Sequence, residues 1–223
     1  MAEPSTARRG GPNGRTGRPA AHTRDQVVDA AVAMGLRNVS VAGVARAMGI
    51  PAATVYTYVS GRDDLERAVA DRLLDGVIGD VADGDDPVEV AVGWGLSLYG
   101  VAMGHPGLAE YYLSHAWPSL LLFEERFGAA LVEAGFVPAA AVLLTDAVVS
   151  TAMGEAVARQ AEDLGEDREF EDSFGLDRPV HTAGLPIAWS APESDRFAWK
   201  LRWSVVGMVD AIRREVVPFS GST

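Results

Sequence analysis

Residues 39–65, VSVAGVARAMGIPAATVYTYVSGRDDL, constrain the fold of this chain more than any other stretch. Ser40 is a suitable N-cap for a short helix, and Gly49 suits the sharp turn after it, because glycine reaches positive φ without steric strain. Pro51 suits the first turn of a second helix, where its missing N–H is not needed. The apolar positions that two crossed helices would bury together are Val44, Met48, Ile50 and Val55. This pattern predicts a helix-turn-helix, a motif whose second helix can enter the major groove of DNA.

The residues of the second helix that would face outward differ in kind from the buried ones. Small side chains at its start would allow close approach to base edges, and hydroxyl groups would reach phosphates, which position a protein without reading sequence. Arg62, just beyond the motif, would pair with one more phosphate. The predicted DNA-binding residues are Arg18, Ser40, Pro51, Ala52, Ala53, Thr54, Tyr56, Thr57, Tyr58 and Arg62. The alternative is a helical hairpin inside an all-α core that never meets DNA.

At these residues the chain resembles the tetracycline-repressor-like (TetR) family of bacterial regulators. The family pattern is a small residue in the first helix of the motif, a glycine turn, a Thr-apolar-Tyr triplet, a basic residue, an acidic residue and a leucine. The matching residues here are Ala45, Gly49, Thr54, Val55, Tyr56, Arg62, Asp63 and Leu65. The resemblance extends over residues 24–74, and it departs from the pattern at Tyr58-Val59, where His-Phe is commoner, and at Arg62, where lysine is usual. These departures concern base preference more than DNA binding itself.

The charge of the chain is unevenly divided. Its net charge is −12, which by itself does not suit a nucleic-acid binder. Residues 1–62, however, hold eight arginines and three acidic residues, whereas the remainder holds 11 basic and 28 acidic residues. The asymmetry indicates a basic part that contacts DNA and an acidic part that stays away from the phosphates.

Composition and motifs argue against several other classes of protein. The chain has no cysteine, so neither a disulfide framework nor a thiolate metal site is expected. No signal peptide and no apolar run of the roughly 20 residues of a membrane span is expected, which favours a cytoplasmic protein without a membrane partner. The histidines at positions 22, 105, 115 and 181 lack a metal-binding spacing, and the HExxH, GxSxG, phosphate-loop and Rossmann motifs are absent. We therefore expect no enzyme activity, no metal and no cofactor.

The first 23 residues are rich in Gly, Pro, Ser, Thr and Arg and cannot bury enough apolar surface to fold alone. Arg15 and Arg18 make this segment similar to the short basic arms that reach an adjacent minor groove. A merely solubilising tail is the alternative. Residues 1–23 are thus predicted to be a disordered basic arm.

The rest of the chain predicts an all-α fold in two domains. A helix from Thr23 or Asp25 to Met34, the helix-turn-helix and a helix over 62–78 would form a DNA-binding domain at 24–79. An acidic, turn-rich break at 81–87 precedes the larger helical ligand-binding and dimerisation domain, at 80–223. Its helices are predicted over 87–103, 107–115, 118–134, 138–164 and 192–216. The polar stretch 161–192 is a long insertion that is either disordered or functional, for example as a lid.

Two of these helices carry a pattern that favours a dimer. Small residues recur at three- and four-residue spacing in Ala147, Thr151, Gly154 and Ala158. The last helix has one apolar row made of Phe197, Leu201, Val205, Met208 and Ile212, and another made of Trp199, Trp203, Val206 and Val209. A helix that is apolar on two sides has two faces to bury. We expect a four-helix homodimer interface, which the family resemblance also implies; packing within one subunit is the alternative.

The middle of the C-terminal part is rich in large side chains that also carry polar groups. A mostly apolar cavity with a few polar groups is how small-molecule sites are built, and the family resemblance implies an effector pocket in this region. The predicted ligand-binding residues are Trp94, Tyr99, Met103, Tyr112, His115, Trp117, Phe123, Phe127, Met153 and Glu155. An ordinary core is the alternative for most of them, and a solvated helix position is the alternative for Glu155.

The sequence is therefore interpreted as a homodimeric transcriptional regulator that binds double-stranded DNA. Two-fold symmetry would place the recognition helices about one DNA turn apart, so the operator is expected to be palindromic. Repression, and release by a small apolar or amphipathic effector, follow from the resemblance, as does transmission through the helix at 62–78. The alternatives are an activator and a small-molecule binding protein whose helix-turn-helix is only structural.

Overall fold

The computed structural model describes residues 22–78, 86–116, 118–163 and 192–214. All regular structure in these ranges is helical. The helices are α1 (Arg24–Met34), a 3₁₀ turn (Leu36–Asn38), α2 (Val41–Met48), α3 (Ala52–Val55), α4 (Arg62–Ile78), α5 (Pro87–Gly104), α6 (Leu108–Ser114), α7 (Pro118–Glu133), α8 (Pro138–Asp163) and α9 (Glu193–Arg213). These bounds confirm the predicted all-α fold, and each lies within a few residues of the prediction.

Local capping explains where the first helices begin and end. The Thr23 hydroxyl accepts a hydrogen bond from the Gln26 backbone N–H, and the Gln26 side chain accepts one from Thr23 in return. Ser40 Oγ accepts from the Gly43 N–H and caps α2. Gly49 ends α2 in the left-handed region, with φ of 67° and ψ of 30°, as the sequence predicts.

The N-terminal helices form a compact group around the helix-turn-helix. α1 packs against α2 and α4, and α2 crosses α3. Val44, Val55, Leu65 and Val69 are completely buried where these helices meet. The short α3 therefore packs directly on α2, and α1 and α4 complete the group.

In the C-terminal part, α5 is central and packs against α8, α9 and α7. Gly95 allows this close approach, because a Cβ there would lie 2.5 Å from Leu201 Cδ2 on α9 and 3.1 Å from Val148 Cγ1 on α8. α4 packs against α5, α6 and α7, so the buried residues of both halves form one continuous core. The domain division near residue 80 stays a prediction, since residues 79–85 lie outside the described ranges.

Several predicted features lie outside the described residues. They are the basic arm with Arg18, Trp117, most of the 161–192 insertion and the end of the chain after residue 214. Within the described ranges, the stretch Pro138–Ala161 of α8 has the length and hydropathy of a membrane span. The expectation that no stretch would reach that length was wrong. Half of this stretch is buried against other helices, which is the pattern of a core helix.

Candidate nucleic-acid interface and effector site

The helix-turn-helix presents small and hydroxyl-bearing residues to solvent. Pro51, Ala52 and Ala53 are exposed at the start of α3. Tyr56, in the turn that follows, is 57% exposed, and its hydroxyl has no hydrogen-bond partner among the described residues. Thr57 is also exposed, and its hydroxyl donates to the Thr54 carbonyl oxygen at 2.6 Å. The side chains at the N-terminal end of α3, which would approach a base, are therefore small. The free hydroxyl of Tyr56 lies in the turn that follows α3.

Tyr58 does not point outward as the sequence predicts. It is half-buried, and its hydroxyl donates to the His22 carbonyl oxygen at 2.8 Å. The hydroxyl proton is thus committed to the segment before α1, and Tyr58 holds the motif in place. Thr54 is also half-buried rather than fully outward.

Two further predicted DNA contacts already have partners within the protein. Ser40 uses its side-chain oxygen to cap α2, which leaves its hydroxyl proton for an outside acceptor. Arg62 forms an ion pair with Glu66 one turn along α4, with 2.7 Å between Nε and Oε1. Because the Arg62 side chain is 62% exposed, this pair contributes little to stability and a phosphate can replace Glu66.

Arg46, which sequence reasoning counted only toward charge, is a further candidate for a phosphate contact. It is exposed on α2 and has no ion-pair partner among the described residues. The other arginines described in α1–α4 all have partners. Arg24 pairs with Asp64, Arg37 with Glu110 and Arg72 with Asp25 and Asp29, while Arg67 hydrogen-bonds to Tyr111. The sequence signal that could have identified Arg46 was its position in the first helix of the motif.

A small polar network fixes the end of the motif on α4. The Ser60 N–H donates to Asp64 Oδ2 at 2.8 Å, and Arg24 donates to Asp64 Oδ1 and to the Tyr58 carbonyl oxygen. The Ser60 hydrogen bond and, against partial burial, the charge of Arg24 hold the pKa of Asp64 below its ordinary value. Arg24 therefore joins α1 to both ends of the turn that precedes α4.

The predicted effector residues divide into three groups. The first is an aromatic cluster between α5 and α7, in which the Trp94 ring stacks on Phe127 with centroids 4.3 Å apart and contacts Phe123 at 4.6 Å. Tyr99, on the same helix as Trp94, stacks instead on Phe197 of α9 at 4.1 Å. Met153 is fully buried on α8, and Met103 is half-buried.

This core contains two buried polar groups that have no partner among the described residues. Trp94 is 2% exposed and its Nε1–H makes no hydrogen bond; Thr145 of α8 is 5% exposed and its Oγ1 makes none. Both lie against the same stretch of α7, because Trp94 stacks on Phe127 and a Cβ on neighbouring Gly128 would lie 3.8 Å from Thr145 Oγ1. Buried donors are nearly always paired in folded proteins. Sequence reasoning missed Thr145, although it is a hydroxyl in the otherwise apolar run AAAVLLT.

The second group uses its polar atoms in structural contacts. The buried Tyr112 hydroxyl donates to Glu124 Oε1 at 2.8 Å, and burial together with the Glu124 charge raises the pKa of Tyr112 well above its ordinary value. Glu155 accepts from Arg159 and from Lys200 of α9. Its side chain is only 9% exposed, so neither a solvated position nor an uncommitted ligand contact describes it. Glu155 joins α8 to α9.

The third group is His115, which lies away from the aromatic core. It is exposed, stacks on Tyr111 with ring centroids 4.3 Å apart, and lines a cleft between α4, α6 and the 3₁₀ turn. The cleft has a volume of about 260 Å³ and is lined by Leu36, Arg37, Glu66, Gly107, Glu110, Tyr111, Ser114 and His115. The structure does not bring His115 together with Trp94 and Phe127, because His115 follows the end of α6 and faces this cleft. Its role in ligand binding stays a prediction.

The outer faces of α8 and α9 carry the residues predicted to form a dimer. Along α8, Gly154 and Ala158 are exposed, and Ala147 and Thr151 are half-buried. On α9, Trp203 is 74% exposed and Trp199 is 50% exposed, while Val206 is 46% exposed. Val209 was assigned to this outer row, but it is 2% exposed and belongs to the core row with Leu201 and Val205.

These helices and their exposed motif define an all-α protein with an N-terminal helix-turn-helix. The fold matches that of solved TetR-family transcriptional regulators, which confirms the resemblance seen in the sequence. No family model matches the sequence, and no curated protein matches it either.

Solved structures provide the comparison. The chain is similar to a possible TetR family transcriptional regulator from Streptomyces coelicolor, with 23% identity, a TM-score of 0.69, and coverage of 86% of this chain and 98% of that one. It is similar to the Streptomyces coelicolor TetR family protein ActR in complex with actinorhodin, with 22% identity, a TM-score of 0.63 and coverage of 86% and 98%. A TetR variant from Acinetobacter baumannii in complex with minocycline has 17% identity, a TM-score of 0.57 and coverage of 83% and 96%.

Proposed function

We propose that this protein is a cytoplasmic, homodimeric transcriptional regulator that binds a palindromic DNA operator and is released from it by a small apolar molecule. The observation that carries the proposal is the exposure of Ala52 and Ala53 at the start of α3 and of Tyr56 in the turn after it, together with the exposure of Arg46 on α2. Small residues suit close approach to base edges, and the hydroxyl and guanidinium suit phosphates. Repression, by blocking access to a promoter, is the proposed outcome of binding.

Selection of DNA ligands from a randomised duplex library, at several salt concentrations, tests the DNA-binding part. We expect enrichment of a short palindrome whose affinity falls steeply as salt rises, since phosphate contacts release counterions. Arg46→Ala should lower the slope of log affinity against log salt by about one per half-site. The control is Arg202→Ala, which removes an exposed cation from α9. No enriched palindrome from a folded dimer would favour the small-molecule binding alternative.

The proposed effector is an apolar molecule that carries a hydrogen-bond acceptor, such as a carbonyl oxygen. The unpartnered Trp94 N–H and Thr145 hydroxyl support this chemistry, because an acceptor placed between α5, α7 and α8 would give each a partner. The ligand complexes of the two structural neighbours, with actinorhodin and with minocycline, are consistent with a small-molecule site in such a fold. Release requires that the effector bind more tightly to the conformation that does not fit the operator.

A thermal-shift panel of neutral aromatic ketones, paired with hydrocarbons of the same ring skeleton, tests the effector chemistry. We expect ketones in the panel to raise the unfolding temperature more than their hydrocarbon partners. Trp94→Phe and Thr145→Val should abolish that difference. Thr145→Val should not weaken the ligand-free protein much, because it removes an unpaired buried polar group, whereas Trp94→Phe also leaves a cavity and should cost more stability. Equal responses to ketone and hydrocarbon would contradict the assignment.

A further inference from the structure

Arg37 connects the helix-turn-helix side of the molecule to two C-terminal helices at once. It lies in the 3₁₀ turn between α1 and α2. Its Nη2 donates to Glu110 Oε1 on α6, and to Gln160 Oε1 on α8 at 3.3 Å. Gln160 is 5% exposed, and its Nε2 donates to the Ala102 carbonyl oxygen on α5 at 2.8 Å. One side chain of the N-terminal half thus ends in a network that includes α5, α6 and α8.

The backbone at Gly107 and the backbone of the 3₁₀ turn also approach each other closely at this place. Gly107, which precedes α6, has φ of +98°, and a Cβ there would lie 2.8 Å from Arg37 Cγ and 3.0 Å from the Arg37 backbone nitrogen. The 3₁₀ turn is therefore seated directly on the start of α6. α4, the helix that the family resemblance implies as the transmitting element, contacts both the 3₁₀ turn and α6, so the seat adjoins it.

The carboxylate of Glu110 depends on Arg37. One of its oxygens accepts from Arg37, whereas the other is buried and has no hydrogen-bond partner among the described residues. Without Arg37, this partly desolvated carboxylate would lose its counter-charge, so the Arg37 contact stabilises α6 against the 3₁₀ turn.

We propose that Arg37 is a positioning residue that fixes the helix-turn-helix relative to the C-terminal helices, and so sets the half-site spacing that the dimer accepts. The geometry links this position to the effector core, because α5 and α8 carry both the Gln160–Ala102 hydrogen bond and the unpartnered Trp94 and Thr145 groups. A shift of α8 against α5 in the core is transmitted to Gln160 and from there to the turn that precedes α2. The effect on half-site spacing rests on the proposed function, whereas the role of Arg37 in positioning the helices does not.

The structural part is tested by a distance measured within one chain. The protein has no cysteine, so Ala42→Cys on α2 and Glu125→Cys on α7, both at exposed positions, allow two specific spin labels. Labelled chains are diluted with unlabelled ones, so that only distances within a chain are read. We expect one narrow distance distribution, which Arg37→Met broadens or shifts.

Arg202→Met is the matched control for this measurement. It removes another half-exposed arginine, one that forms two 2.7 Å hydrogen bonds with Glu89 and does not line the cleft. Arg202→Met should leave the distribution unchanged. A charge swap, Arg37→Glu with Glu110→Arg, should restore part of the narrow distribution. An Arg37→Met distribution equal to that of the wild type would overturn the proposal.

The DNA part is tested with the palindrome that the wild type selects and with a variant whose half-sites are one base pair farther apart. Arg37→Met should reduce the ratio of the two affinities by about fivefold or more, whereas Arg202→Met should keep it. A merely structural loss would weaken both affinities equally and leave the ratio intact, which would contradict the positioning role. If the wild type selects no palindrome, the proposed function fails, and the distance measurement still decides on Arg37.

Discussion

At the scale of single residues, two tyrosines that are neighbours in the motif have opposite environments. Tyr56 is 57% exposed, while Tyr58 is half-buried and donates a hydrogen bond to the His22 carbonyl oxygen. Both were assigned phosphate contacts because both carry a hydroxyl, and Tyr58 was also expected to point outward. The helix ends at Val55, however, and the turn that follows exposes Tyr56 and partly buries Tyr58.

Tyr58→Phe is expected to lower the free energy of unfolding by about 1 kcal/mol, the usual net contribution of one hydrogen bond. Tyr56→Phe removes a hydroxyl that has no partner among the described residues, and it should leave unfolding unchanged while weakening DNA binding. Urea unfolding of the two variants, followed by circular dichroism, makes the comparison. Equal stability of both variants would show that the Tyr58 hydrogen bond contributes nothing.

Glu155 is the residue whose role depends most on its surroundings. Burial acts to raise the pKa of its carboxyl, but the hydrogen bonds and charges of Lys200 and Arg159 outweigh burial, so the pKa lies below the ordinary value of 4.5. A carboxyl whose pKa is lower in the folded state stabilises the protein at pH values above its unfolded-state pKa. This stabilisation is lost as the pH falls through the folded-state pKa.

Glu155→Gln is expected to lower the free energy of unfolding at pH 7 by about 1–3 kcal/mol, since two cations lose a charged acceptor. The difference from the wild type should shrink as the pH falls below 4.5 and the wild-type carboxyl is protonated. Urea unfolding at a series of pH values measures this. Glu89→Gln, which breaks an exposed ion pair with Arg202, is the control and should stay near the wild type at every pH.

At the scale of elements, two glycines with positive φ have different reasons to be glycine. Gly49 has φ of +67°, and a Cβ there would meet nothing within 4 Å. Gly107 has φ of +98°, and a Cβ there would press on Arg37, including its backbone nitrogen. The first glycine ends a helix, whereas the second lets two elements touch.

Gly49→Ala should therefore cost only the conformational strain of an alanine in the left-handed region, about 1–2 kcal/mol, and Gly49→Asn should cost less. Gly107→Ala should cost more than Gly49→Ala, because backbone atoms must also move apart. It should also broaden the α2–α7 distance distribution described for Arg37. Thermal unfolding ranks the three variants, and a Gly107→Ala protein as stable as Gly49→Ala would contradict the close contact.

At the scale of the whole molecule, a single chain leaves the apolar outer face of α9 exposed to solvent. Trp203 and Trp199 together present a large apolar surface next to the small residues of α8. Removing apolar surface from water is worth roughly 25 cal/mol per Å², and a tryptophan carries about 150–250 Å². Burial of one mostly exposed tryptophan therefore contributes several times the thermal energy to assembly.

Trp203→Glu is expected to convert the proposed dimer to a monomer at micromolar concentration without unfolding it, since the side chain is 74% exposed. Leu122→Glu is the matched control, because Leu122 on α7 is 66% exposed and lies on another helix. Sedimentation equilibrium separates the outcomes. A wild-type protein that sediments as a monomer would contradict the dimer directly.

The sequence by itself determined where the helices begin and end and which residues form the helix-turn-helix. Thr23, Ser40 and Gly49 act through hydrogen bonds and dihedral angles within a few residues of themselves, so their effects can be read locally. The apolar rows of α2, α4 and α9 likewise follow from helical spacing. The all-α fold is the consequence of these local signals.

Only the tertiary structure decided which polar groups are committed to other parts of the chain. Glu155 meets Lys200 across 45 residues and Arg37 meets Gln160 across 123, so no local pattern indicates these pairs. Local patterns also did not indicate that His115 lines the cleft rather than the aromatic core, or that Thr145 is buried without a partner among the described residues. Helical spacing gives the face on which a side chain lies, but the partner on that face depends on how distant helices pack.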